Sequence, residues 1–137
     1  MPSDFAHTIF DANATELRRL HARVNETFRK RDQSPEAKEA WKRAAVEFLA
    51  RYDQLAFPGG YTGALDRIMA GDRQTIETAL RFVECRPFFF RSGYMFKDLL
   101  RKLKRAPLDP GSAARLASVL RAYADYRERR RRQSGRA

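Results

Sequence analysis

The chain has 137 residues and a formal net charge of +11, with 43% hydrophobic and 12% aromatic residues. That length suits one domain with a core that needs neither disulfides nor metals, and the aromatic content excludes a disordered polyelectrolyte. A lone cysteine, Cys85, rules out an internal disulfide framework, and no stretch approaches the ~20 apolar residues of a membrane-spanning helix.

The opening Met-Pro-Ser-Asp-Phe-Ala-His has neither a basic n-region nor an apolar run, so no secretory signal is expected and the predicted location is a bacterial-type cytoplasm. Arg outnumbers Lys 22 to 6 and there are 20 Ala, a bias that a GC-rich genome produces whatever the protein does. The distribution of charge says more. Residues 1–60 carry 10 basic and 9 acidic side chains, residues 61–126 carry 12 and 7, and residues 127–137 carry 6 and 1. The positive charge lies in the second half, which points to an acidic or polyanionic partner and says nothing about fold.

In chain order, Phe5, Ile9, Leu17, Leu20, Val24 and Phe28 recur at helical spacing over residues 3–31. Asn13-Ala-Thr-Glu16 reads as a capping box, so a break is expected near Asn13, with a short helix before it and a longer one from Ala14. Ser34-Pro35-Glu36 is a helix start with an N-cap, Pro at N1 and an acid in the first turn. Trp41, Ala45, Phe48, Leu49, Tyr52 and Leu55 form the apolar face that follows, and Pro58-Gly59-Gly60 ends it. The glycine-rich loop up to Gly63 lacks the Lys of a phosphate loop and is read as a turn.

A short helix is predicted over 62–70 and another over 73–86, capped by Asp72 and closed by Pro87, with Ile76, Ala79, Leu80 and Val83 as its stripe. The run Pro87-Phe-Phe-Phe-Arg-Ser-Gly-Tyr-Met-Phe96 is read as a buried connector or one turn of helix, with Ser92 as cap of a helix over 93–105 and most of its rings in the core. Asp109-Pro110 opens a last helix with Leu116, Val119, Leu120 and Tyr123 inward. Residues 127–137 form a basic tail, either a helical extension or a flexible arm. The expected fold is all-α: a compact irregular bundle of five to six helices, made of a hairpin over 1–57 and a basic helical half over 61–126. A small α-superhelix is the alternative.

No catalytic motif is present: no nucleophile elbow, Walker loop or dinucleotide fingerprint. Cys85 reads as a small buried hydrophobe. Asp4, His7 and Asp11 share a helix face and are weak metal candidates, so no cofactor or metal is expected. The most distinctive segment is 86–105, with seven basic residues against Asp98. On a helix, Met95, Phe96, Leu99, Leu100 and Leu103 gather opposite Lys97, Arg101, Lys104 and Arg105. The candidate binding residues are therefore Arg91, Lys97, Arg101, Lys102, Lys104 and Arg105, together with Arg129, Arg130, Arg131 and Arg132 of the tail. Two functions fit them: a non-enzymatic interaction module for an acidic protein, or a nucleic-acid-binding accessory protein gripping phosphates. A membrane-surface role ranks lower, because the core needs the apolar face.

Overall fold

The computed structural model describes residues 2–135, with side chains from His7 onward. Among these residues it is all-helical: α1 (Pro2–Lys30), α2 (Pro35–Ala56), α3 (Ala64–Met69), α4 (Arg73–Cys85), α5 (Ser92–Leu103) and α6 (Pro110–Ser134). The starts form where short polar side chains satisfy the free first-turn amides. Ser34 Oγ accepts from Ala37 N–H, Asp72 from Thr75 N–H, and Asp109 from Ser112 N–H.

Helices α1 and α2 form the expected hairpin. Glu16 meets Arg51, Arg23 meets Glu47 and Phe28 meets Trp41, so one index rises as the other falls and the pair is antiparallel. The break expected at Asn13 is absent, and α1 is continuous. Glu16, the residue that would close the capping box, is engaged instead by Arg19 and by Arg51 of α2. Packing of Phe10, Ala14 and Leu17 into the core then carries the helix through the Asn. Phe10 therefore takes the inward place that the sequence pattern gave to Ile9, and the Phe5 side chain lies outside the described residues. On α2 the stripe is narrower than expected. Phe48 is buried, but Leu49 is 72% exposed, because α1 is the only extensive helix partner of α2 and covers one side alone.

Helix α4 is the hub, touching α1, α3, α5 and α6. Ile76, Ala79, Leu80 and Val83 are buried as their spacing predicts, and Thr75 and Phe82 join them, so the helix is covered on more than one side. One apolar cluster runs from Phe10 of α1 to Val119 of α6 and takes in every helix. Contacts between helices that are not neighbours in sequence, α1 with α4 and α3 with α5, make this a bundle, where a superhelix would stack successive units. Arg115 ties α6 to α4 through Glu77 (2.6 Å) and Glu84 (2.7 Å).

The loop over 57–63 is knit internally. Asp53 accepts from Thr62 N–H and Oγ1–H, both at 2.9 Å, and Arg67 donates to the carbonyls of Gly60 and Thr62. Gly60 (φ +94°) must be glycine, since a Cβ there would meet Asp53 Oδ2 at 3.0 Å. Helix α3 starts two residues later than expected because this turn uses them.

A cationic groove between α5 and α6

Residues 86–91 join α4 to α5, and they shape the site. Both ends are arginines in the left-handed region, Arg86 (φ 48°) and Arg91 (φ 69°), where an L side chain costs about 1–2 kcal/mol. Such backbone is kept where the surroundings over-determine it, and here they do. Arg18 of α1 donates to the Phe88 carbonyl, and Tyr52 of α2 donates to the Phe90 carbonyl at 2.7 Å. Ser92 Oγ accepts from Phe89 N–H at 3.1 Å. Ser92 is thus the first residue of α5 and faces back into the turn, while Arg91 holds the N-cap position with no side-chain cap of its own.

Phe89 is driven into the core between Tyr52 and Phe82, with ring centroids 6.0 and 6.2 Å away. Its neighbours point outward, which corrects the expectation that most rings of this run are buried. Phe89 and Phe96 are buried, but Phe88 is 76% exposed, Tyr94 73%, and Phe90 lies on the surface stacked on His21 at 4.5 Å. Ser92 N–H donates to the Phe89 carbonyl at 3.0 Å, closing a turn over 89–92 that keeps Phe89 inward while Phe88 and Phe90 face solvent.

The pinned connector and the N-terminal half of α5 form one wall of a groove of about 830 Å³, and the C-terminal half of α6 forms the other. Six cations line it: Arg86, Arg91, Lys97, Arg127, Arg130 and Arg131. No carboxylate does. Arg131 is drawn toward Glu128; the other five form no ion pair among the described residues. Arg86, itself exposed, has its guanidinium carbon 4.4 Å from the Phe96 ring centroid, 4.8 Å from that of Tyr126 and 5.4 Å from that of Tyr123. Stacking of this kind holds a guanidinium without neutralising it. Arg130 donates to the Tyr126 hydroxyl at 3.2 Å, and that hydrogen bond holds the phenol pKa below the usual tyrosine value. Rings and cations are interleaved in the lining, with Arg127 near the Tyr123 ring and Arg130 near that of Tyr126.

Of the predicted binding residues, the groove gathers Arg91, Lys97, Arg130 and Arg131. Arg101, Lys104 and Arg105 are exposed on α5 or just beyond its end and lie outside it. Arg101 pairs with Asp98 at 2.7 Å, and Lys102 is half-buried. Arg129 and Arg132 also lie off the lining, the latter beside Glu128. Residues 127–134 are helical, the end of α6. Sequence reasoning missed Arg86 and Arg127 as site residues, and Tyr123 and Tyr126 beside them. A signal existed: Arg86, Tyr123, Tyr126 and Arg130 carry side chains that stack cations on rings, but their convergence is a tertiary fact.

Other candidate chemistry does not assemble. Among the described residues no three His, Cys, Asp or Glu side chains could hold a metal ion. The Asp4 side chain lies outside the described residues, and His7 and Asp11 are exposed. His21 shares their helix but lies 14 residues from His7, roughly 20 Å along the axis, packed between Phe48 and Phe90. Burial, with Glu84 and Asp11 nearby, pushes the Cys85 thiol pKa up, which disfavours the nucleophilic thiolate. The apolar face of α5 is spent in the core, with Met95, Phe96, Leu99, Leu100 and Leu103 all buried, and no helix is long and apolar enough to cross a membrane. The chain matches no family model, no curated protein and no solved structure.

Proposed function

We propose that the groove between α5 and α6 binds the phosphate backbone of a nucleic acid, as an accessory protein of the cytoplasm without catalytic chemistry of its own. The observation that supports this best is the lining: six cations from α4's cap, α5 and α6 face one concavity that holds no carboxylate. Like charges brought together without counter-charge repel, and a polyanion relieves that repulsion while releasing its condensed counterions. An acidic protein would satisfy the same cations. The exposed rings of Phe88 and Tyr94 beside them favour a ligand that carries aromatic faces as well as negative charge.

The test is fluorescence anisotropy of labelled oligonucleotides titrated with the full chain at 50 and 200 mM salt. With four to six phosphate contacts at a slope of about −0.7 per contact, affinity should fall on the order of a hundredfold across that range. Lys97→Glu, Arg127→Glu and Arg130→Glu together should abolish binding, whereas Arg101→Glu with Lys104→Glu, off the groove, should weaken it only several-fold. Failure of both DNA and RNA to bind at 50 mM salt, alongside capture of poly-glutamate, would overturn the proposal in favour of an acidic protein partner.

A further inference from the structure

We infer that the groove takes single strands in preference to duplexes, with Phe88 and Tyr94 as platforms on which unpaired bases stack. The inference rests on the phosphate-binding reading above and adds the class of nucleic acid.

Two large aromatic side chains lie more than 70% exposed on the rim of the same groove, Phe88 at 76% and Tyr94 at 73%. Their exposure is not slackness in the chain. The Phe88 carbonyl is held by Arg18, the Phe89 amide by Ser92, and the Phe90 carbonyl by Tyr52. Phe89, between them, is locked into the core. Tyr94 stands in the first turn of α5, whose next two residues, Met95 and Phe96, are buried. Both rings are therefore presented on fixed backbone, which lowers the ordering cost of any stack they make.

The groove sets exposed rings beside cations, and a single strand carries unpaired bases beside phosphates. Lys97, Arg127 and Arg130 meet the backbone while the two rim rings meet bases. In a duplex the base faces are already stacked on each other and only phosphates face outward, so the rings gain nothing. Stacking is tolerant of sequence because every base has a flat face, so little sequence preference is expected.

The experiment titrates the full chain against a labelled oligo-dT 12-mer and against a 12-base-pair duplex of mixed sequence at 50 mM salt. Wild-type protein should bind the single strand at least tenfold more tightly. Phe88→Ala and Tyr94→Ala should each weaken single-strand binding on the order of tenfold and leave duplex binding unchanged. Phe88→Tyr and Tyr94→Phe should bind as wild type does. Both sites are exposed, and circular dichroism of each variant checks that helicity is kept. Equal affinity for the two forms, or aromatic variants that bind the single strand as wild type does, overturns the single-strand inference and leaves the phosphate reading standing. Binding to neither form overturns both.

Discussion

Replacing Arg91 tests the site and its backbone at once. Arg91 holds φ 69° at the N-cap of α5 and places its guanidinium 5.4 Å from the Phe90 ring centroid. Glycine releases a left-handed strain of about 1–2 kcal/mol and is an accepted N-cap residue. It loses one exposed cation–π contact of about 0.5 kcal/mol. Arg91→Gly should therefore be more stable than wild type by about 0.5–1.5 kcal/mol, a rise in Tm of roughly 2–6 °C for a chain of this size. Arg91→Ala loses the same charge and the same contact but keeps the strain, so it should be about 1 kcal/mol less stable than Arg91→Gly. Both variants should lower the salt slope of single-strand binding by about 0.7. Thermal and urea unfolding of the three proteins give the stability order, and anisotropy gives the slopes. If the Gly and Ala variants are equally stable, the turn does not hold Arg91 in the left-handed region and the account of a strained, pinned connector is wrong.

Three further outcomes follow from the packing. Arg115→Ala should cost about 1 kcal/mol, since it removes contacts to two partly exposed carboxylates, and it should also change the acid response. Burial pushes the Glu77 pKa up, but hydrogen bonds from Arg115 and Arg81 outweigh it and hold the carboxyl below its usual range. A depressed folded pKa adds stability that is present at neutral pH and lost as pH falls through the folded value. The variant should accordingly lose less stability than wild type between neutral pH and about pH 3, measured by urea midpoints, and an identical pH profile would refute the clamp. Arg86→Ala should loosen the end of α6, seen as faster amide hydrogen exchange over 123–134, because the stack on Phe96, Tyr123 and Tyr126 is lost. Phe82→Ala empties the centre of the core, where a fully buried ring meets Phe10, Phe57 and Phe89. A cost of about 3–5 kcal/mol is expected, a large share of a domain's total, and a urea midpoint within experimental error of wild type would contradict that placement.

Much of the architecture was legible locally. Ser34, Asp72 and Asp109 announce helix starts because capping is chemistry within four residues. The stripe of α4 and the apolar face of α5 were legible because helical period alone decides which side chains share a face. What failed depended on partners distant in sequence. Asn13 looked like a start until Arg51, 35 residues beyond Glu16, claimed that carboxylate. Leu49 looked inward because periodicity cannot say how wide a neighbour is. The basic face of α5 was legible as a face, but only Lys97 at its N-terminal end reaches the groove, which the C-terminal half of α6 lines, whereas the N-terminal half of α6 lies by Leu103 and Lys104 at the other end. Arg86 was legible as one of the seven basic residues of 86–105, but its place in the site comes from rings on α5 and α6.

The connector links fold to function in both directions. Its one buried ring, Phe89, belongs to the same cluster as Leu80, Phe82 and Val83, so the core fixes where the connector lies. The turn closed between Phe89 and Ser92 keeps the Phe89 ring inward and leaves Phe88 and Phe90 on the solvent side. Phe90 finds cover on His21, whereas Phe88 finds none and stays at the rim of the cationic lining. An exposed Phe held rigidly beside five cations that form no ion pair adds nothing to the core. That pairing of an exposed ring with cations that form no ion pair is the ground for the proposal that a ligand covers the groove.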